Sequence, residues 1–557
     1  VALFLLNVGS MQSRLVAVAS LLVPVVAACA NDVGSRPEPP ELRIESPARG
    51  TMREGLSSVE VIGTVGASAT GSAAASVSVN GIDAPLAADG SFRVTVPVHA
   101  GTNLISTVAL SADGGRADDM RGVLTGTFRP ATATVENAIA AQLSAQTFEV
   151  LGNTAETLIA QTDLNMLVMP YNPVIAKGLS NGEEDCLYGK VSVRQGLDLD
   201  HADIALVPGD AGLALDATLH QLYIPLHARY AAACLDGDTD ITISATTARL
   251  RGTVAVTVNA GRFDVELVNP TVTFTGFDVD ASGLPGAVIS LLDLDNEIRN
   301  VLASQMEKFI GPMVKDTIAN IHVGPQTVTV LGKDLTAEVA AAGIGFDSAG
   351  AEMVLDATLT VAGGSHGFLF TDDQAPPARG AAGFQLAVAD DALNQVMSNF
   401  WSAGGLDQTL AQSAGIYDAI RLEALLPPVV SAGEGGALKV TMPDLIVHLN
   451  AGEVEATTLA MNVEMEVQVA PHPGGATNIA SVTIATPTIH ADVLADVTGV
   501  PAQGIESLMP AMVTHMLGTF TPLLGAVPLP ALPGGLRAAS LRVGTAQNYL
   551  VVNGDLQ

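Results

Sequence analysis

The chain has 557 residues, 48% of them hydrophobic, and carries 57 acidic against 25 basic side chains for a formal charge of −32. That length accommodates three or more ordinary domains, and the charge excludes nucleic acid as a partner and a basic patch as a grip on anionic membrane. With aromatics at only 4% and mean hydropathy at +0.38, Ala, Val, Leu, Ile and Met must fill broad cores or enclose an apolar space.

The first residues read as an export signal. Arg14 precedes a short apolar run over 15–26, and Val26-Ala27-Ala28-Cys29 follows, the order of a targeting segment and too short for a spanning helix. The last four resemble the lipobox of bacterial lipoproteins, which implies acylation of the Cys29 thiol. It also implies a cell-envelope protein anchored to the outer membrane, facing the periplasm or the exterior. Ala28-Cys29-Ala30 also fits a small-x-small cleavage site, and its use would make the protein secreted. Residues 1–10 read as lying upstream of a start at Met11, so 1–29 is the expected signal peptide. Residues 30–40 form a linker stiffened by Arg36-Pro37-Glu38-Pro39-Pro40. With Cys29 acylated, Cys186 and Cys234 remain. In an oxidising compartment a disulfide is their expected use, with two free thiols as the alternative.

Over 41–130, alternating segments recur at 42–44, 59–65, 75–79, 92–98, 104–109 and 123–128, separated by turn signals such as Asn80-Gly81 and Asp89-Gly90. The spacing predicts an immunoglobulin-like β-sandwich. The run Val79-Asn80-Gly81, Asp89-Gly90-Ser91-Phe92, Gly101-Thr102-Asn103 resembles bacterial surface Ig-like modules, which implies a spacer.

After Pro130 the pattern changes. A helix is predicted over 134–150, with Val135, Ile139 and Leu143 on one face at four-residue steps. Period-two strands are predicted at 241–248, 252–259 and 263–268. A long amphipathic helix is predicted over 287–321, its apolar side including Leu291, Leu294, Ile298, Val301, Leu302, Met306, Phe309 and Met313, with an interruption at Gly311-Pro312. Strands at 326–331 and 353–361 lead to a helix over 390–403, with Leu393, Val396, Met397, Phe400 and Trp401 apolar. Further strands at 438–449, 457–470 and 480–485 precede a Met-rich helix over 503–524, carrying Ile505, Met509, Met512, Met516 and Phe520. Each half runs helix, long strands, helix, which suggests an internal duplication.

Three stretches carry a family resemblance. Phe384-Gln-Leu-Ala-Val-Ala-Asp-Asp-Ala-Leu-Asn394 with Phe400-Trp401-Ser-Ala-Gly-Gly-Leu406 resembles the entry into the C-terminal barrel of one lipid-binding family. Val527-Pro-Leu-Pro530, Leu541-Arg-Val543, Tyr549-Leu-Val-Val552 and Asp555-Leu556 resemble its closing segment, and 287–321 stands where its first long helix stands. The family is that of bactericidal/permeability-increasing protein, lipopolysaccharide-binding protein and cholesteryl ester transfer protein, within the tubular lipid-binding (TULIP) superfamily. The resemblance covers about residues 131–557.

It implies a chain of all-β and α+β class: the Ig-like sandwich followed by two tandem TULIP-like barrels, 131–325 and 326–557. Each barrel would be a curved antiparallel sheet wrapped around a long helix, joined to the other by a central sheet and opening a tunnel for acyl chains. The implied lining is Ile139, Leu143, Ile298, Leu302, Met306, Phe309, Met313, Leu393, Met397, Phe400, Met509, Met512, Met516 and Phe520. Methionine suits such a wall because its unbranched thioether adapts to different chains; the same stripes at helical spacing also describe a packed core. The family's barrel disulfide supports the Cys186–Cys234 pairing. The immune members of the family have a cationic tip for lipid A phosphates, and this acidic chain departs from them. A phospholipid with its headgroup in solvent, a fatty acid or a sterol-like molecule is the expected ligand. No cofactor is expected, and no protein partner is named by the sequence.

Catalytic and metal readings are weaker. Gly363-Gly364-Ser365-His366-Gly367 matches the G-x-S-x-G pattern, but its flanks read as two strands of a hairpin where the elbow needs a strand and a helix. The ten histidines show no metal-ligand spacing, and His515 reads as a buried core histidine. Acidic loops are expected at 236–240 and 278–283, the second with Ile289 where a calcium loop needs its glutamate. No enzyme and no metal site are expected. The reading is an exported, membrane-anchored lipid-binding or lipid-transfer protein. The alternative is a structural or adhesive surface lipoprotein with side-chain-filled barrels and a protein partner.

Overall fold

A computed structural model describes residues 37–556 except 181–182, 294–295, 298, 302–303, 305–324, 331, 372–375, 378–382, 411–416, 434–436, 472–477, 501, 503, 507–508, 510–526 and 529–537. Alternation of apolar and polar residues makes most of these strands. Two sheets form the first unit. One orders Pro40–Ser46, Ser58–Ser68 and Ser91–Pro97; the other orders Thr51–Glu54, Arg116–Arg129, Gly101–Ser111, Ala74–Val79 and Ile82–Ala84. Their inner residues meet in one apolar cluster, Val61, Phe92 and Val96 from the first against Val77, Ile105 and Val123 from the second. Residues of opposite parity face outward, where Glu60 and Arg93 pair at 2.7 Å. All six segments expected from the sequence in this region are strands.

A seven-stranded sheet lies at the centre of the remaining chain. Its order is Gln326–Val330, Lys333–Asp347, Gly350–Val361, Val135–Ser144, Phe384–Ala389, Tyr549–Leu556, Ala538–Ala546. The middle pair is antiparallel, with Ile139 opposite Val388 and Leu143 opposite Phe384. Each of these two strands runs directly into a helix, Ala145–Gln161 or Asp390–Ser402, and each is flanked on its outer side by a hairpin, Lys333–Asp347 with Gly350–Val361 beside the first and Ala538–Ala546 with Tyr549–Leu556 beside the second. Strand, helix and large sheet thus occur twice in chain order among the described residues.

The helix expected over 134–150 is corrected here. Val135–Ser144 is a strand, and the helix begins at Ala145, capped by the Ser144 hydroxyl accepting from the Thr147 amide. Residues four apart share a face in both periodicities, because four is twice two. Val135 and Ile139 therefore point together into the central core from a strand.

Each half carries a further sheet. The first orders Ile175–Ser180, Glu183–Val193, Gly212–Ala232, Leu235–Asn259 and Arg262–Thr275, with His201–Gly209 and Asp278–Asp280 added at its sides. The segments expected at 241–248 and 252–259 are parts of one 25-residue strand, about 80 Å long at the usual rise per residue. Such strands curl where the ladder is broken. The ladder between Leu235–Asn259 and Arg262–Thr275 breaks at Arg251/Thr253, where Asn269 (φ +52°) and Pro270 stand against Gly252 alone. An extra residue in the left-handed region bends a strand and raises its twist. The second half's sheet orders Gln408–Leu410, Ala419–Ala424, Ala437–Ala451, Val454–Pro471, Asn478–Ile484 and Val527–Pro528, with Val429–Ala432 and Thr488–Asp496 at its sides.

Cys186 and Cys234 form a disulfide. The acidic stretches beside them, expected as loops, are strand. Asp236, Asp238 and Asp240 alternate outward along Leu235–Asn259, opposite Ala231, Arg229 and His227, and Asp278–Asp280 pairs with Thr242–Ser244 residues of the same strand. Alternating Asp reads as a loop by composition, but period two with every second residue charged is also the outer face of a strand.

The sandwich is fixed to the second half's sheet by a buried ionic cluster. Arg49 Nη2 reaches Asp119 at 3.1 Å and Asp492 at 2.9 Å, while Nη1 reaches Asp444 at 3.2 Å and the Met120 carbonyl at 2.7 Å. Arg121 pairs with the other oxygen of Asp119 at 2.9 Å. The Asp444 carboxylate is 0% exposed. Burial pushes it above the usual carboxylate range and lifts Asp492 to about 6, despite the guanidinium of Arg49 beside both.

Candidate functional site

Two apolar clusters, one per half, fill the inner faces of the two further sheets. In the first, Ile224, Leu226, Ile241 and Ile243 of the two longest strands converge with Val191 on the short helix Gly286–Leu292, which contributes Val288 and Leu292. In the second, Leu449, Leu459, Met461 and Met465 converge with Ile420 on Ile505 and Met509. Strand alternation explains both: every second residue of a curled sheet faces inward, and here those positions are filled by branched aliphatics and methionine.

The helix expected over 287–321 is corrected in phase. It runs Gly286–Leu292 and stops at Asp293, whose φ of +46° is left-handed; residues 296–297, 299–301 and 304 are helical again. The break moves the inward positions to Val288 and Leu292, while Leu291 is half-buried and Ile289 is exposed. Sequence periodicity missed this because it placed the interruption at Gly311-Pro312 and ran the helix unbroken through Asp293. Val288 and Leu292 were legible only as an apolar pair four apart.

Packed on the central sheet is a polar hub, the helix Asp390–Ser402, matching the helix expected over 390–403. Its polar side chains are as buried as its apolar ones. Gln395 accepts the Leu359 amide at 2.7 Å and donates to the Ala131 and Ala133 carbonyls at 3.1 and 2.6 Å. Asn399 donates to the carbonyls of Ala131 and Leu359, both at 3.1 Å. Asn394 accepts the Val430 amide at 2.8 Å, Ser398 donates to the Gly367 carbonyl at 2.8 Å, and Trp401 Nε1 donates to the Ala424 carbonyl at 2.6 Å. The helix therefore clamps backbone from the sandwich exit, the central sheet and the second half's sheet. At its start, Asp390 and Asp391 are both buried, and Thr371 bonds to each. Burial, with the neighbouring Asp391 charge, lifts Asp390 to about 7.

The residues expected to line a tunnel fall in four places. Ile139 and Phe400 share the core of the central sheet. Leu143 packs with Phe148 and Leu215 under the helix Ala145–Gln161. Leu393 and Met397 meet Val430, Leu438 and Leu550 at the seam between the central sheet and the second half's sheet. Met509 lies inside the latter. Ile298, Leu302, Met306, Phe309, Met313, Met512, Met516, Phe520, Gly311-Pro312, His515 and Cys29 lie outside the described residues.

Ser365 lies between Gly350–Val361 and Phe368–Phe370, as expected for a turn. These strands do not form the expected hairpin: the first belongs to the central sheet, and the second pairs with Arg116–Arg129 of the sandwich. Ser365 Oγ is 3.4 Å from His366 Nδ1, and its amide donates to Ser402 Oγ at 3.1 Å. The histidines are not all dispersed, because strand pairing stacks His201 on His220. Their 19-residue separation crosses a hairpin, which hid the pair from any reading of local spacing.

No protein-family model matches the chain, and no curated protein matches it. Solved structures do. Lipopolysaccharide binding protein aligns at 12% identity over 76% of this chain and 99% of its own, with a TM-score of 0.41. P47 of Clostridium botulinum E1 aligns at 9% identity over 76% of this chain and 100% of its own, with a TM-score of 0.27. P47 from Clostridium botulinum A2 aligns at 10% identity over 76% and 98%, also at 0.27.

Proposed function

We propose that the protein is an exported lipid-binding protein that takes acyl chains or another apolar lipid into the interiors of its two end sheets. The observation that carries this reading is the pair of enclosed aliphatic interiors, each built of strands curled around a short helical segment. The sequence stretches that resemble the TULIP family support this reading, and the tandem-barrel description belongs to the proposal. Each methylene removed from water contributes about 0.8 kcal/mol, so a sixteen-carbon chain offers roughly 12 kcal/mol gross. Association costs of about 4–15 kcal/mol offset from a third to all of that gain, so binding is reversible and its strength depends on how far the interior is pre-organised. No reacting group is required, and the protein on this reading is not an enzyme.

The proposal extends to the cell envelope. Acylated Cys29 would anchor the chain stably through more than one lipid chain, and residues 41–130, as an Ig-like spacer, would hold the end sheets off the bilayer. Metabolic labelling with palmitate tests the anchor: wild type incorporates label and sediments with membranes, and Cys29→Ser does neither. Label retained by Cys29→Ser overturns it.

The binding role is tested on residues 30–557, purified without detergent. Organic extraction followed by mass spectrometry recovers phospholipid, fatty acid or a sterol-like molecule near one or two equivalents, and a fluorescent fatty acid competes with it. Bare protein that also fails to bind the probe refutes the role. A second reading is favoured by the burial of Ile139 and Phe400, 4% and 5% exposed in a continuous core: a structural or adhesive protein with filled interiors. Native mass spectrometry separates the two, since a filled protein flies at the mass of its polypeptide alone.

A further inference from the structure

The hairpin of His201–Gly209 and Gly212–Ala232 lies at the side of the first half's sheet. Its inner face is apolar: Ala202, Ile204, Leu213, Leu215 and Ala217 pack on Phe148 and Ile159 of the helix Ala145–Gln161. Period two therefore sends His201 and Asp203 to the outer face, and His220 stands directly across the ladder from His201. The two imidazoles stack with centroids 4.2 Å apart and planes 8° from parallel. Asp203 Oδ2 is 2.8 Å from His220 Nε2 and 4.0 Å from His201 Nε2. One ligand atom from each of the three residues lies within 4.8 Å of the others.

A second observation concerns orientation. Asp200 Oδ2 is 2.8 Å from His201 Nδ1. A carboxylate that takes the Nδ1–H leaves the Nε2 lone pair free and directed, the arrangement that surrounds metal-bound histidines. The backbone is fixed on both strands by nine consecutive pairs from His201–His220 to Gly209–Gly212, so the donors stand on a rigid element.

We propose that His201, His220 and Asp203 form a surface site for one divalent transition-metal ion of the zinc, copper(II) or nickel class, with water completing the shell. Two imidazole nitrogens and one carboxylate oxygen match that class, whereas calcium and magnesium require a shell of oxygens. Tetrahedral ligands at about 2.0–2.1 Å from zinc stand about 3.3 Å from one another, and the observed 2.8 and 4.0 Å bracket that separation. The stacked rings hold their in-plane lone pairs parallel, so binding tilts the two imidazoles toward a common point by rotation about their side-chain torsions. All three residues are partly or largely exposed, so the site is open to solvent, and the net charge of −32 draws cations toward the protein. The proposal is independent of lipid binding.

The test uses the untagged chain, stripped with chelator and titrated with zinc chloride near neutral pH by calorimetry. One zinc binds per chain, and calcium chloride gives no comparable heat. His201→Ala and His220→Ala each lower the affinity at least tenfold, and Asp200→Ala lowers it by about tenfold through loss of orientation. His227→Ala is the control and leaves binding unchanged, because His227 pairs with Asp240 at 2.9 Å in a similar way but belongs to no such three-ligand group among the described residues. With copper(II), electron paramagnetic resonance shows nitrogen coupling from two imidazoles. The proposal is overturned if wild type binds no zinc saturably, or if a His201→Ala/His220→Ala protein with wild-type circular dichroism binds it unchanged.

Discussion

Replacing Arg49 by methionine removes one charge from the seam between the sandwich and the second half's sheet while keeping most of the side-chain volume. The cluster holds Arg49 and Arg121 against Asp119, Asp444 and Asp492, so one guanidinium is left facing three carboxylates. Asp444 and Asp492 keep the amides of Gly50 (2.8 Å) and Met120 (3.0 Å) but lose their counter-charge. Breaking a buried pair from one side costs about 3–5 kcal/mol. Protonation limits that cost, since each unit of pKa shift corresponds to about 1.4 kcal/mol, and Asp492 already stands at about 6 with Arg49 present. The sign follows from linkage. Carboxyls whose folded pKa is raised hold protons that the unfolded chain has released, so their contribution to stability falls as pH rises through that window. R49M should therefore lose more stability at pH 8 than at pH 5. Thermal unfolding at both pH values gives the difference, and hydrogen exchange at the Gly50 and Met120 amides places it at the seam. Arg49→Met/Asp444→Asn/Asp492→Asn should recover most of the loss. If R49M stays within about 0.5 kcal/mol of wild type at pH 8, with both amides still protected, the electrostatic account of this seam is wrong.

Three further outcomes follow from the same geometry. Asp390 is raised from the ordinary carboxylate range to about 7, so its contribution is intact below about pH 4 and is lost as pH climbs toward 7; Asp390→Asn should flatten stability across that window and raise the melting temperature at pH 8. Removing the disulfide with Cys186→Ala and Cys234→Ala releases a 48-residue separation and should cost about 4 kcal/mol by loop entropy, read as a lower urea midpoint for the first half's sheet, with an unchanged midpoint as the contrary result. Gly122→Ala places a Cβ 2.5 Å from Pro443 Cβ and should destabilise the same seam as R49M by about 1–3 kcal/mol through overpacking, visible as faster exchange at Met120.

The strands were legible because each is short-range alternation that survives without knowing its partner. Six sandwich segments and the strands after 241, 353, 438 and 457 stand where the alternation put them, and the helix at Asp390 was marked by an apolar stripe with acidic residues in its first turn. What failed depends on information that alternation does not carry. Val135, Ile139 and Leu143 fit strand and helix equally. Asp293 breaks a helix through its backbone conformation, which no apolar count detects. Asn394, Gln395, Ser398 and Asn399 read as the wet face of an amphipathic helix, yet all four are buried because strand edges and linkers bring carbonyls and amides to them. His201 and His220 become neighbours only when a hairpin closes in one register.

The distribution of polar and apolar burial also decides where lipid can sit if the protein binds it. The centre of the molecule is unavailable: Gln395 and Asn399 are 0% and 1% exposed, and every backbone group they hold would lose its partner if an acyl chain displaced them, at about 1–3 kcal/mol for each buried group left unpaired. The end interiors are aliphatic over most of their walls, with Tyr417 bonded to Thr457 at one margin of the second; aliphatic walls lose only contacts that an alkyl chain replaces in kind. Occupancy should accordingly be confined to the ends. A fatty acid with a photoreactive group near its methyl terminus should label peptides from residues 175–292 and 419–509 and leave 390–402 unmodified. Labelling concentrated on the Asp390–Ser402 helix would mean that the hub opens, and that its bonds to the backbone of Ala131, Ala133, Leu359, Gly367, Ala424 and Val430 are far weaker than their burial implies.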